Sequence, residues 1–549
     1  MRNRLMLTAT LVVVAASLLV SAAFAGSTAS KAGGTLRVNH SLSDYEYIDP
    51  QKCYDTGCSE LLWPTGYNLM QYPEKNGAEG KRVYPEAASG FKVSKDGKTY
   101  TFAIRPGQKA SNGKVVTPAW FVHAMQRLLS PKMGDAASAR FGAVSIIGPV
   151  IVGTQEFYDG KADKIAGVSV KGNNLIIKLK KPFASLTSVL AMNWFSAVDP
   201  SLPYSEQDVT KLTAAGPYFI AAREIGRNVV LDRNPNYKGK RPRNAERIVI
   251  TVGGDENQSI LQVKAGQADY EPGVAAASSA ALGDEFKINK TQFFVKSTSV
   301  TSWWALNTLP GSPFADVKLR KAVNWAIDRP AQVRVAGKYG GRRSSQILPP
   351  ALPGFILANN IYAYSGSNVA KAKAVAGDVS NVPVIRILHR NSQSNLNRGQ
   401  IMRYNLEQMG LKAKTEAVPT SQLFARSGNK KTGNYDMAAL GWQADYPDPE
   451  NFINVLFDGR QIPDEGSSNN WSFFNSAKFN SLMDKAAALT GDARYKAFGT
   501  LDLALMKDAA PAAPYINSNN RILISKRISG SLVYNEATTN SAWNAFVIK

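Results

Sequence analysis

Strand-like runs alternating with amphipathic helical stretches along most of this 549-residue chain constrain it more than any other feature. A period-two pattern and a helical pattern bury their apolar faces in different ways, so their alternation commits the chain to α/β layers. One segment shows this clearly: KVSKDGKTYTFAIRPGQKASNGKVVTPAWFVHAMQRLL. Asp96-Gly97 is a hairpin signal, Tyr100, Phe102 and Ile104 alternate with Thr101 and Ala103 as in a half-buried strand, and Arg105-Pro106-Gly107 ends the run. Thr117 then offers an N-cap ahead of Pro118, and Phe121, Met125, Leu128 and Leu129 recur at helical spacing.

The same punctuation continues. GPYFI (216–220), NVVLDRNPNY (228–237) and ERIVITV (246–252) read as strands, and SILQVKAGQADY reads as a helix ending at Gly266. TSWWALNT is strand-like, and FADVKLRKAVNWAID puts Leu319, Val323, Ala326 and Ile327 on one helical face with Asp316 as cap. VIRILHR, a helix around IMRYNLEQMG, LKAKTEAV and YDMAALGW follow. In that scheme ALGW ends a buried strand, so Asp445, Asp448 and Glu450 of GWQADYPDPE occupy the loop beyond it, where ligand sites in α/β sheets gather. The PDP tail is expected to turn, with Asp448 and Glu450 capping a helix that begins near Asn451. Trp303 and Trp304 must point to opposite faces of their strand. One is expected in the core and the other on a cleft wall, where it would suit peptide side chains, sugars or cations.

The N-terminal MRNRLMLTATLVVVAASLLVSAAFA joins Arg2 and Arg4 to an apolar run from Leu11 to Val20, with Ala23 and Ala25 around Phe24. That is the pattern of a secretory signal peptide cleaved after Ala25. No later stretch approaches ~18 uninterrupted apolar residues. Residue 26 is Gly, not Cys, which removes the usual lipoprotein attachment. The expected product is exported, periplasmic or extracellular, envelope-associated and not N-terminally lipidated.

Cys53 and Cys58, the only cysteines, lie in KCYDTGC, where an oxidising compartment permits a disulfide. A local bridge stapling one loop is the preferred reading, with two free thiols as the alternative. Metal binding finds little support, because His40, His123 and His389 are scattered. The formal charge of +23 becomes +21 once Arg2 and Arg4 are removed. Its basic groups (Lys238, Lys240, Arg241 and Arg243; Arg342 and Arg343; Lys430 and Lys431) read as solvated faces drawn to anionic envelope surfaces. Nothing resembling a nucleic-acid recognition motif accompanies them, so no nucleic-acid partner is expected.

GKTYTFAIRPGQKASNGKVVTPAWFVHAMQR, GPYFI, LDRNPNY, VKAGQADY, LRKAVNWAIDR and GWQADYPDPENF resemble, in that order, the peptide/nickel-type solute-binding proteins of ABC importers. The match runs from about Gly34 to the C-terminus. The resemblance implies a two-lobed periplasmic-binding-protein fold, α/β with mixed sheets and three domains. After the signal peptide (1–25) and a linker (26–32), lobe one would hold 33–66, 212–292 and 522–549, an inserted small domain 67–211, and lobe two 293–521. It implies a receptor that closes on a ligand and passes it to a membrane permease/ATPase complex, working as a monomer without a cofactor. Peptide-binding members pair the ligand's main chain with a strand of the second lobe and receive its α-ammonium on an Asp just after that strand. Here that Asp is Asp445, with Gly441 and Trp442 on the pairing strand. The candidate ligand-binding set is Asp445, Trp442, Gly441, Tyr446, Trp303, Trp304 and Asn307.

The leading expectation is therefore a receptor for a small solute, foremost a short peptide, and the alternative is a sugar or other polar solute. A secreted hydrolase using Asp445, Asp448 or Glu450 is the rival from another class. It is disfavoured because the chain has no GxSxG elbow, no HExxH and no Cys-His pairing in one motif.

Overall fold

One continuous sheet explains why the chain passes back and forth. Its strands along the chain are β1 (Thr35–His40), β2 (Tyr218–Glu224), β3 (Asn228–Arg233), β4 (Arg247–Val252), β5 (Tyr270–Glu271), β6 (Phe293–Leu306), β7 (Gly341–Arg343), β8 (Ile385–Arg390), β9 (Ala413–Val418), β10 (Met437–Gln443) and β11 (Ala512–Ile524). In space they lie in the order β9-β8-β10-β6-β11-β5-β1-β4-β3-β2, with β7 pairing beside β11. This computed structural model describes residues 33–134, 138–358, 360–530 and 532–549. The expected signal peptide and linker lie outside the described residues.

The long antiparallel pair β6 and β11 joins the two ends of the sheet. Register shifts between Ser297 and Thr301, and again between Ser302 and Trp303, break the pair. Such bulges bend a strand and increase its twist. On one side β1 pairs in parallel with β4, and Leu36, Val38, Ile248, Ile250 and Trp543 share a core. On the other, β8 pairs in parallel with both β9 and β10.

A separate four-stranded antiparallel sheet orders Ala88–Val93, Thr99–Ile104, Asn174–Lys178 and Val168–Lys171. Its hairpin turns at Gly97, whose φ of +71° suits glycine. Helix α1 (Thr56–Leu62) begins beside the cysteines, and α2 (Pro118–Leu129) packs Phe121, Met125, Leu128 and Leu129 against the small sheet. Thr117 is the N-cap residue of α2 by backbone, but its side chain makes no capping bond. Helix α3 (Val317–Ala326) is capped as expected, with the Asp316 carboxylate accepting from the Lys318 N–H at 2.8 Å, and α4 (Gln393–Gln408) packs Met402 and Leu406 with Ile387 of β8.

Alternation along β6 sends its two tryptophans into different cores. Trp303 packs with Leu388, Leu440, Phe452 and Trp471 on one face of the sheet. Trp304 packs with Leu319, Val323, Ile387 and Tyr515 on the other. Their exposures are 1% and 0%, which corrects the expectation that one lines a cleft. The physical reason is that both faces of this half of the sheet are covered. Removing an indole's area from water is worth at most about 4–6 kcal/mol gross, so an apolar cover captures both rings.

The basic groups also divide. Lys238 and Lys240 are exposed, and Lys430 reaches exposed Asp464. Arg241 departs from expectation: it is buried, bonds Glu74 Oε1 at 2.6 Å, and donates to the carbonyls of Gly66 and Trp63. A charge in a basic run becomes a core group when acids and carbonyls satisfy its fork.

Cys53 and Cys58 are joined. The Asp55 carboxylate accepts from the Cys58 N–H at 2.9 Å, so cap and bridge together fasten the first turn of α1. Thiol labelling of denatured, unreduced protein should find no free cysteine. Reduction should cost less than the ~3 kcal/mol expected for a 15-residue loop, because the closed loop is short. Two reactive thiols before reduction would refute the pairing.

Candidate functional site

β10 emerges from the sheet half-buried at Gly441 and ends at Gln443, where the Ala444 N–H is anchored on the Ser299 carbonyl at 3.1 Å. The loop that follows returns into α5 (Glu450–Phe457). Asn451, in the first turn of that helix and fully buried, organises the corner. Its Oδ1 accepts from the Asp445 N–H (3.0 Å) and from the Trp442 indole N–H (2.8 Å), and its Nδ2 donates to Asp445 Oδ2 (3.0 Å).

Asp445 thereby faces a cavity of about 270 Å³. That volume is at the small end of the ~300–1,000 Å³ common for small-molecule sites. The opposite wall comes from far along the chain. Tyr54 donates its hydroxyl to Asp445 Oδ1 at 3.0 Å and lies against Trp194, with ring centroids 5.0 Å apart. Gly142 backs that pair, since a Cβ there would stand 2.9 Å from the Trp194 ring and 3.0 Å from Tyr54. Trp63, Tyr72 and Met192 complete an aromatic and apolar rim.

The electrostatics of the cavity have one sign. Asp445 and Asp55 are the charged side chains in its lining, and no Lys or Arg is among them. Both Asp445 oxygens accept from neutral donors. Burial pushes its acid up to about 6, a rise restrained by the bonds from Asn451 and Tyr54. A carboxylate in this state gains from a cation brought to it.

The outer edge of β10 is partly open. β8 pairs with it only at Ile387–Met437 and Leu388–Ala438, so β10 beyond Ala438 is unpaired on that side among the described residues. β8 continues in parallel to Arg390, at the level of Leu440. The Arg390 guanidinium lies 5.2 Å from the Phe424 ring centroid and makes no ion pair with the described residues. On the opposite edge, Gly441 lies against β6 at Ser302, where a Cβ would meet Ser302 Oγ at 2.9 Å.

The structure thus brings Asp445 and Trp442 to the cavity and places Gly441 on the strand leading to it. It does not bring the remaining candidates there. Tyr446 is 2% exposed and packs into the core of the small-sheet module, because Asp445 and Pro447 on either side of it take the cavity-facing positions. Asn307 is a brace at the end of β6, donating to the Tyr435 carbonyl (2.9 Å) and accepting from the Leu309 N–H (3.1 Å).

Asp448 does accept from the Glu450 N–H at 2.9 Å, as a turn-former should. Both acids nevertheless serve a larger purpose, as partners of buried Arg494 on α6 (Gly491–Ala504). Sequence reasoning missed Tyr54, Trp63, Trp194 and Asn451. Only Tyr54 carried a local signal, its place inside the cysteine loop.

Comparison with known proteins bears on this geometry. The family model described as bacterial extracellular solute-binding proteins, family 5 Middle, matches residues 82–464. A curated "Probable D,D-dipeptide-binding periplasmic protein" of Escherichia coli (strain K12) is 24% identical over 498 residues, covering 89% of each chain. Heme-binding protein A of Haemophilus influenzae is 24% identical over 557 residues, covering 95% of this chain and 96% of its own. Among solved structures, a clavulanic acid biosynthesis oligopeptide binding protein superposes with a TM-score of 0.82 at 20% identity, over 94% of this chain and 96% of that one. The two-lobed α/β fold expected from the sequence is therefore the fold observed. Among the described residues no helix is long and apolar enough to cross a membrane.

Proposed function

The chain belongs to family 5 of the bacterial extracellular solute-binding proteins, and from that premise we propose that it captures a short peptide and delivers it to an ABC importer. The observation that carries the reading is Asp445: a carboxylate on a cavity wall, held by neutral donors, with no Lys or Arg in the lining. A peptide's free α-ammonium supplies the missing charge, and charge-assisted bonds of this kind are among the stronger ones. The open edge of β10 suits main-chain pairing with an extended ligand, which tolerates varied side chains. Arg390, at the end of β8 beside that open edge, is a cation available to the carboxylate of a ligand extended along it.

In this reading 293–521 forms one lobe, and 33–66, 212–292 and 522–549 form the other, with 67–211 inserted. The protein is exported, unlipidated and monomeric, and uses no cofactor. The β6–β11 crossing acts as the hinge, and closure carries Tyr54 and Asp445 together around the ligand. The peptide-binding names among the relatives and neighbours support this choice of ligand over a sugar.

Proton linkage tests the reading. Asp445 rises from an ordinary 3.8 to about 6 in the fold, and a contacting ammonium brings it down again. Near pH 7 the carboxylate is already charged and binding moves few protons. Below about pH 6 binding must expel a proton, so affinity falls toward tenfold per pH unit. Calorimetry of trialanine in buffers of different ionisation enthalpy should show close to one proton released at pH 5 and little net exchange at pH 7. An equal proton count at both pH values would remove Asp445 as the amine receptor. Failure of every free short peptide to bind would reject the peptide reading.

A further inference from the structure

A second chamber of about 480 Å³ adjoins the peptide cavity, sharing Asp55, Thr56 and Gln443 as a common wall. Gln443 is two residues before Asp445, roughly 7 Å along an extended chain. The chamber's acids are Asp44, Glu46, Asp55 and Glu60, and neither Lys nor Arg is in its lining. Its one imidazole, His40, is depressed to about 4 by burial and so brings no charge at neutral pH. This sign runs against the +23 of the whole chain, whose long-range field repels cations.

Of these acids Asp44 alone pairs with a cation among the described residues, Arg223 at 3.0 Å. Asp55 caps α1 through the Cys58 N–H, and neither Glu46 nor Glu60 pairs with a Lys or Arg. Glu46 is exposed. Glu60, 9% exposed, is held by the Tyr270 hydroxyl at 3.0 Å and the Ser541 N–H at 3.3 Å, and no Lys or Arg pairs with it. Burial pushes its acid up to about 7. Among the described residues no group of carboxylates converges closely enough to hold a metal ion. The spread of the acids instead suits an extended organic cation with several N–H donors.

We propose that this chamber is a specificity subsite for a cationic side chain, lysine- or arginine-like, of the peptide whose α-ammonium rests on Asp445. The inference builds on the peptide reading and narrows its substrate class to basic peptides. Glu46 and Glu60 supply the attraction.

The test is calorimetry at pH 7 with Lys-Ala-Ala, Ala-Lys-Ala and Ala-Ala-Lys, their Nε-acetyl-lysine counterparts, and trialanine. At least one lysine peptide should bind tenfold or more tightly than both its acetylated counterpart and trialanine. Glu46→Gln, a surface change that leaves the core intact, should narrow that gap severalfold, and Glu60→Gln should narrow it further. If trialanine and the acetylated peptides bind as tightly as the lysine peptides, the subsite is refuted while peptide capture stands. A lysine preference that survives both substitutions removes the chamber as its cause. If no peptide binds, both this inference and the reading beneath it fail.

Discussion

Asp445→Asn should fold as the parent does and lose roughly thirtyfold to several thousandfold in affinity for a free short peptide. The substitution keeps the shape and lets the Tyr54 hydroxyl turn from donor to acceptor, so only the charge is deleted. Stranding one partner of a buried charge pair costs roughly 2–5 kcal/mol, which sets that range. N-acetylating the peptide removes the other charge. The parent should then lose a comparable factor, whereas the variant should lose little more, and calorimetry of the four combinations measures the coupling. Losses that simply add would show that Asp445 does not receive the amine.

The same substitution has a signature without ligand. Because the folded-state value of Asp445 lies above its ordinary one, its ionised form disfavours the fold. That penalty is absent below about pH 4, where the group is protonated folded or unfolded, and complete above about pH 6. Asp445→Asn should therefore melt higher than the parent at pH 7 and match it near pH 4. Stability gained as binding is lost is the trade expected of a site residue.

How far the sequence carried this picture depends on whether the signal was local. β10 was legible because Met437–Trp442 is an apolar run entering a polar loop, and α3 was legible from its Asp316 cap and its apolar face. β6 was read only at TSWWALNT, although it spans Phe293–Leu306. The register shifts that interrupt its pairing also interrupt its alternation. Strand geometry placed Trp303 and Trp304 on opposite faces, but which faces helices and neighbouring strands later cover is a tertiary fact. Asp445 was found through resemblance to a family motif. Its partner Tyr54 lies 391 residues away, and no pattern within a window could join them.

Arg494→Met should destabilise the protein by about 3–5 kcal/mol at pH 7.5, the cost of breaking a buried ion pair by removing one member. Arg494 is 2% exposed. Its Nη2 bonds Asp448 Oδ1 at 3.0 Å and Ser185 Oγ at 2.7 Å and also reaches the Glu450 carboxylate, while Nη1 donates to the Ala487 carbonyl at 2.9 Å. Ser185 in turn donates to Glu450 Oε2 at 2.6 Å, so one guanidinium ties α6, the turn before α5 and the small-sheet module together. Methionine fills much of the same volume but leaves two carboxylates facing each other in a dry site. Burial already holds Glu450 above its usual range, with the Asp448 charge adding to the rise and Arg494 opposing it. Without the cation, Glu450 takes up a proton at still higher pH, so the deficit should be largest at alkaline pH and shrink as pH falls toward 5. Denaturant titrations of parent and variant at pH 5 and 7.5 separate the possibilities. A deficit equal at both pH values would mean lost packing rather than stranded charge. Affinity supplies a second readout, because Asp448 lies three residues beyond Asp445. If the ion pair positions the amine receptor, Arg494→Met should weaken peptide binding severalfold at pH 7.5 even where the protein remains folded. Unchanged affinity would confine Arg494 to the scaffold.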